Sequence, residues 1–318
     1  MKNFFKISLI LFITLGIVSC SDDDDSNTDP QTNTIADFVV SNDDYSSLKA
    51  ALDKAGLTAT LAGQGEFTVF APNNAAFATF LSANGFASLD EVPTALLTNV
   101  LLNHVVSGKV MAADLSTGYI NSLATEASSG ANLSMYVNTS SGVKLNGIST
   151  VTAADIDADN GVIHAVNTVI ALPSVVTFAT ADPTFSTLVA ALTRGDQPDF
   201  VGVLSTPAGT APAPFTVFAP TNGAFVALLA ELGASSLNDI DGPTLTAALN
   251  THVIAGANVR AADLVDGTVT TLGADLVVDA SNATLTDVNE RVSNIIVVDV
   301  QAVNGVVHAI DKVLLPQL

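Results

Sequence analysis

The fifteen residues FTVFAPNNAAFATFL, from Phe67 to Leu81, return as FTVFAPTNGAFVALL from Phe215 to Leu229, identical at ten positions and displaced by 148. A self-similarity of that span restricts the chain to architectures made from two copies of one unit, each with its own core. Two further pairs keep the same order: NHVVSGKVMAADL (103–115) with THVIAGANVRAADL (251–264), and NGVIHAVNTVIALP (160–173) with NGVVHAIDKVLLP (304–316). The offset is 140 at Tyr45 and Phe185, 148 at the fifteen-residue segment and 144 at the Asn-Gly pairs. Its changes fall in STPAGTAPAP and among the hairpins, where loops absorb insertions.

Within the repeated segment, Phe67, Thr68, Val69 and Phe70 are β-formers with no polar alternation, which predicts a strand buried on both faces. Pro72 ends its ladder for want of a donor. Asn73 or Asn74 then caps a helix whose apolar face is Ala76, Phe77, Phe80 and Leu81. The second copy offers Thr221 or Asn222 as cap and Phe225, Leu228 and Leu229 as face. No nucleophile, base or ligand set lies in this strand–turn–helix corner, and its turn lacks phosphate-cradling glycines. It builds core.

Upstream, Asp43 or Asp44 is placed to cap a helix with Leu48, Ala51 and Leu52 inside and Gly56 at its end. In the second copy Pro183 lies in the first turn, Leu188, Val189 and Leu192 face inward, and Gly195 closes the helix. Leu96, Leu97, Val100 and Leu101 mark another helix that passes into a strand at His104. LSMYVN, VKLNG, STVTAADID and VIHAVNTVI follow as short strands. Asn160-Gly161 and Asn304-Gly305 are the dipeptide of two-residue hairpins with φ > 0 at both central positions. Helices followed by a strand meander define an α+β unit.

The N-terminus reads differently. Lys2 and Lys6 precede an apolar run from Ile7 to Val18, too short to span a bilayer, and then IVSC. Residues 1–19 are thus a secretion signal. IVSC resembles the bacterial lipoprotein box, whose cysteine becomes the lipid-modified first residue, and Cys20 is the only cysteine in the chain. Cys20 is the lipid-anchor candidate, and no intrachain disulfide can form. Residues 20–34, SDDDDSNTDPQTNT among them, lack large apolar side chains and form an acidic flexible tether. Asp22 to Asp25 resemble the export signal of Bacteroidetes lipoproteins carried to the outer face of the outer membrane. The other reading is a solvated spacer kept extended by its charge.

Without residues 1–19 the chain carries 31 acidic against 8 basic residues, a net charge of −23. A field of that sign repels nucleic acid and anionic headgroups and disfavours both as partners.

The segments TVFAPTNGAF, HVIAG and NGVVHAIDKVLLP resemble, in order and spacing, the signature segments of fasciclin-like domains, over 35–173 and again over 175–318. The resemblance implies a β-wedge or sandwich flanked by helices, and surface roles in adhesion and matrix contact. In animal members a Tyr-His pair in the HVV-like segment is tied to integrin recognition. Here Asn103 and Thr251 precede His104 and His252, so that property does not transfer.

All four histidines are repeat-equivalent, His104 with His252 and His164 with His308. A general base needs partners, and no nucleophile motif accompanies them in their apolar strands, so a structural role satisfied by backbone groups is expected. DIDADNG (155–161) resembles the start of a helix–loop–helix calcium loop. Positions six and twelve, Asn160 and Val166, are not the required Gly and acid, so such a site is rejected. Asn132, Asn138 and Asn282 match the glycosylation acceptor pattern and are taken as polar loops.

The expectation is a cell-envelope lipoprotein anchored in the outer membrane through Cys20 and exposed at the surface. Its two fasciclin-like domains mediate adhesion or ligand binding to a protein or polysaccharide, without cofactor, metal or catalytic residues. The alternative is a glycan-binding accessory lipoprotein of a surface uptake system, though no Trp and three Tyr argue against stacking on sugars. A hydrolase acting through the histidines ranks last.

Overall fold

The computed structural model describes residues 33–317; residues 1–32, with Cys20 and most of the acidic stretch, lie outside them. The first half contains α1 (Ile35–Ser41), α2 (Ser46–Ala55), α3 (Thr58–Ala62), β1 (Phe67–Pro72), α4 (Asn74–Ala83), α5 (Thr94–Leu102) and β2 (Val105–Ser107), followed by β3 (Gly118–Thr125), β4 (Asn132–Asn138), β5 (Lys144–Leu145), β6 (Ser149–Ala158) and β7 (Gly161–Val166). The second half repeats the plan. It runs through α6 (Val175–Ala181), α7 (Ser186–Leu192), α8 (Phe200–Leu204), β8 (Phe215–Pro220), α9 (Asn222–Leu232), α10 (Gly242–Thr251) and β9 (Val253–Ala255), and then β10 (Gly267–Val269), β11 (Leu276–Asp279), β12 (Thr284–Thr286), β13 (Val292–Ala302) and β14 (Gly305–Ile310).

Each half forms a seven-stranded mixed sheet, ordered β2-β1-β7-β6-β5-β4-β3 and β10-β11-β12-β13-β14-β8-β9. The pairs β1/β7 and β8/β14 are parallel and the remaining named pairs antiparallel. The fold is α+β, with the repeated strand paired on both edges. Its freedom from alternation has a direct cause. Val69 and Ala71 face a core shared with the helices, whereas Phe70 faces a second core with Met135, Val137, Leu145 and Ile170 inside the curled sheet. Phe218 does the same against Leu276, Val278 and Leu285. Both phenylalanines are wholly buried.

Local chemistry differs from the expectation at several points. Asn73 and Thr221 cap α4 and α9 by accepting from Ala76 N and Ala224 N. Asn74 instead accepts from Ser47 N and donates to Asp43 O, tying α4 to the start of α2. Neither Asp43 nor Asp44 caps, because a 3₁₀ turn intervenes and Asn42 caps that. Gly56 closes α2 in the left-handed region, but α7 stops at Leu192 with Thr193 as cap, before Gly195. β3 is a strand that its GYINSLAT sequence, polar at alternate ends, does not announce.

The Asn-Gly pairs are a correction with more consequence. Ala158 pairs with Gly161, so the two-residue turn is Asp159-Asn160, and neither of these has φ > 0. Gly161 sits at φ 153°, and a Cβ there would be driven into the Phe67 carbonyl of the adjoining parallel strand, so the position requires glycine. Gly305 stands in the same relation to Phe215.

Candidate functional site

The histidines are hydrogen-bonded on both ring nitrogens. In His104, Nδ1 donates to Val100 O at 2.7 Å and Nε2 accepts from Ile170 N at 2.8 Å. His252 repeats this with Ala248 O at 2.7 Å and Leu314 N at 3.0 Å. The acceptor role of Nε2 sets the tautomer with the proton on Nδ1. Burial pushes both imidazoles down to about 4 against the opposing pull of those carbonyls, so they are neutral near pH 7.

His164 and His308 form a second matched pair. Their Nε2 atoms donate to Val110 O (3.0 Å) and Val259 O (2.9 Å), and their Nδ1 atoms accept from Asp155 N (3.2 Å) and Asp299 N (3.3 Å). Each ring lies beside the buried phenylalanine of the repeated strand, Phe70 at 5.5 Å and Phe218 at 5.8 Å. Burial lowers the affinity of His308 for a proton. His164 and His308 clamp strands β7 and β14 to a neighbouring segment, and His104 and His252 clamp the ends of α5 and α10 to the segment that follows the last strand.

The acidic segment 155–161 is likewise taken up by structure. Asp155 and Asp299 occupy irregularities in β6 and β13 at φ 59°, and their Oδ1 atoms accept from Ala112 N (2.8 Å) and Ala261 N (2.7 Å). Asp157 pairs with Lys109, and Asp159 accepts from Asn33 N. Among the described residues, no three His, Cys, Asp or Glu groups converge as metal ligands.

Asn160 is buried and accepts from Ile35 N (2.9 Å) while donating to Leu61 O (2.8 Å) and Gly63 O (2.9 Å). Asn304 does the same for Val175 N, Leu204 O and Thr206 O. One amide thus joins the last hairpin to the first and third helices of its half.

Sequence reasoning missed the junction of the two halves. Tyr119 on β3 donates its hydroxyl to Asp182 Oδ2 at 2.9 Å, and its ring lies 5.1 Å from the tilted Tyr136 ring and meets Phe178 edge-to-face at 5.6 Å. Tyr136, from β4, packs into the core of the second half. Burial and then the Asp182 charge raise the Tyr119 phenol, and the same causes push Tyr136 up to about 12, so both keep their protons. The Gln301 N–H donates to Ser134 Oγ at 3.0 Å, and the Val303 N–H donates to Pro173 O at 2.8 Å. Two of the chain's three tyrosines sit here; that concentration was the available signal, legible only once β3 is recognised.

Beside this junction lies a cleft of about 780 Å³, walled by Tyr119, Asn121 and Asn132 of the first half and by Arg260, Val297 and Val298 of the second. The cleft lies within the size range of small-molecule sites, about 300–1,000 Å³. A smaller cavity of about 170 Å³ between α6, α7 and α8 is lined almost wholly by apolar side chains.

The Fasciclin domain family matches residues 43–173 and 183–316. The chain is 40% identical over 140 residues to protein sll1483 of Synechocystis sp., covering 44% of this chain and 74% of that protein. It is 33% identical over 268 residues to transforming growth factor-beta-induced protein ig-h3 of Sus scrofa, covering 80% of this chain but 35% of that longer protein. Similarity at 37% over 145 residues extends to the cell surface glycolipoprotein MPB83 of Mycobacterium bovis, covering 45% and 60% respectively. Among solved structures, a FAS1 domain pair from the insect cell adhesion molecule Fasciclin I aligns with a TM-score of 0.48 and 18% identity, over 84% of this chain and 92% of that one. With both halves matched, the chain belongs to the fasciclin domain family as a tandem pair.

Proposed function

We propose that the protein is a lipid-anchored surface protein of the cell envelope, held in the outer membrane through Cys20, whose two fasciclin domains mediate adhesion or capture of an extracellular ligand. The observation that carries this reading is the family match over both halves, joined to the IVSC sequence behind a short apolar run. Fasciclin domains occur in cell-adhesion and cell-surface proteins, as the names of the relatives state. The domains are taken as 35–173 and 175–318, each with the full set of elements, behind the tether 20–34. The ligand is a protein or a polysaccharide, since a net charge of −23 disfavours nucleic acid. Several acyl chains, at about 0.8 kcal/mol per buried CH₂, hold such a protein firmly on a membrane.

Metabolic labelling with a palmitate analogue tests the anchor: Cys20→Ser abolishes the label and either releases the protein from the membrane fraction or blocks its processing. Full membrane retention of the unlabelled variant defeats the anchor. Adhesion of whole cells, compared with cells lacking the protein, tests the role; equal adhesion defeats it. The glycan-binding alternative draws on the cleft, whose walls are polar.

A further inference from the structure

The chain contains three arginines, and two are fully engaged. Arg194 donates to Leu237 O, Ile240 O and both oxygens of Asp196. Arg291 donates to Asp287, Val313 O and both oxygens of Glu231. Arg260 makes a single hydrogen bond, from Nη2 to Asp299 Oδ2 at 3.2 Å, which is long for a charge-assisted contact. Its Nε is enclosed with no acceptor among the described residues. A guanidinium has five donors, so most of this one's capacity stands at the wall of the cleft. The Nη donors left over, on a side chain about one-third exposed, are the ones that a ligand oxygen in the cleft can meet.

The first half shows which cleft residues the fold itself requires. Aligning the AADL segments puts Met111 at the place of Arg260, and the Asn-Gly register puts Ala153 and Ala154 at the places of Val297 and Val298. The bulge aspartate is common to both halves, Asp155 and Asp299, with the same backbone partner. The guanidinium and the two exposed valines are additions of the second half, and all three face the cleft.

We infer that this cleft binds a neutral oligosaccharide. Arg260 supplies donors and Asp299 spare acceptor lone pairs side by side, the arrangement that adjacent sugar hydroxyls, each both donor and acceptor, can satisfy together. Asn121, exposed and with no side-chain partner among the described residues, and the open carbonyl oxygen of Asn132 add a donor–acceptor set on the opposite wall. Val297 and Val298 offer apolar surface to the C–H faces of a pyranose. The ligand is neutral because the Arg260–Asp299 pair leaves the cleft without net charge, while the chain without residues 1–19 carries 31 acidic against 8 basic residues and repels an anion.

This inference rests on the ligand-capture reading and assigns it a site. The test uses the full chain in detergent, applied to an array of neutral hexaoses of glucose, mannose, galactose and xylose, with oligogalacturonates as the acidic arm. Retention of a neutral class is expected, weakened about tenfold or more by Arg260→Met. The Val297→Ala/Val298→Ala pair is expected to weaken it in the same direction. Both variants install residues that the first half already carries, and an unshifted melting temperature verifies their folding. Binding of no array sugar at millimolar concentration overturns the inference, as does binding of the acidic arm alone. Arg260→Met affinity within about twofold of the unaltered protein does so too. Whole-cell adhesion measured in parallel separates the two claims: adhesion without sugar binding removes the cleft and leaves the adhesive role.

Discussion

Asn160 accepts a hydrogen bond from the backbone of Ile35, 125 residues earlier, at 2.9 Å in a fully buried setting. The same amide donates to Leu61 O and Gly63 O. Asn160→Ala therefore leaves one buried donor and two acceptors unpaired, at about 1–3 kcal/mol for each group that water cannot reach. Chemical denaturation is expected to show a loss of about 3 kcal/mol or more, and Asn304→Ala a similar loss. A loss below about 1 kcal/mol would place the turn, and not the amide, at the root of this position.

The buried histidines make stability depend on acid. His104 and His252 are held down to about 4 by burial, below the roughly 6.5 of an unfolded chain. A depressed folded-state value means that the unfolded chain takes up protons first. The stabilisation is complete above about pH 6.5 and is lost as pH falls towards 4, by about 3 kcal/mol per histidine. Unfolding midpoints across that window should fall steeply, and the double replacement His104→Gln/His252→Gln should flatten the profile. A slope unchanged in the double variant assigns the acid sensitivity to carboxylates.

His164→Ala and His308→Ala each remove a ring bonded at both nitrogens between a bulge and a crossing segment. A stability loss of about 1–3 kcal/mol per group left unpaired is expected, with adhesion by the folded fraction unchanged. Unaltered midpoints together with abolished binding would move these residues into a site.

Phe70 and Phe218 are wholly buried within the small curled-sheet cores. Truncation to alanine is expected to cost about 3–5 kcal/mol each, read from denaturant midpoints. A negligible cost would be incompatible with a strand covered on both faces.

Tyr119 and Tyr136 carry the junction. Fragments 35–173 and 175–318 are expected to unfold cooperatively alone, each at a lower midpoint than in the intact protein. Tyr136→Ala, which empties a place in the core of the second half, should split the single transition of the pair into two. Persistence of one transition at an unchanged temperature would show that the halves are not coupled through this ring.

Much of this protein was legible without coordinates, because repetition and local chemistry are one-dimensional. The doubled FTVFAP segment determined two copies of one unit, its lack of alternation determined a strand buried on both faces, and each copy narrowed the helix cap to two neighbouring residues, of which the fold uses Asn73 and Thr221. The buried setting of His164 and His308 followed from the apolar strands that hold them, whereas His104 and His252, expected in strands as well, lie at the turns that end α5 and α10. Other features depend on partners remote in sequence. Asn-Gly at 160–161 and 304–305 satisfies the local rule for a hairpin, yet the asparagine serves a distant helix and the glycine a parallel strand's carbonyl, contacts that exist only once β1 and β7 are side by side. Asp43 likewise yielded to a 3₁₀ turn capped by Asn42, and Gly195 to a helix that ends earlier, at Leu192. The junction was decided wholly in three dimensions. Tyr119, Asp182, Arg260 and Val298 belong to four separate segments, and nothing in their local sequence distinguishes a tyrosine that joins two cores or an arginine whose Nε is left without an acceptor. Hydrogen-bond satisfaction is a property of neighbours in space, so only the folded pair could reveal which polar groups remain free.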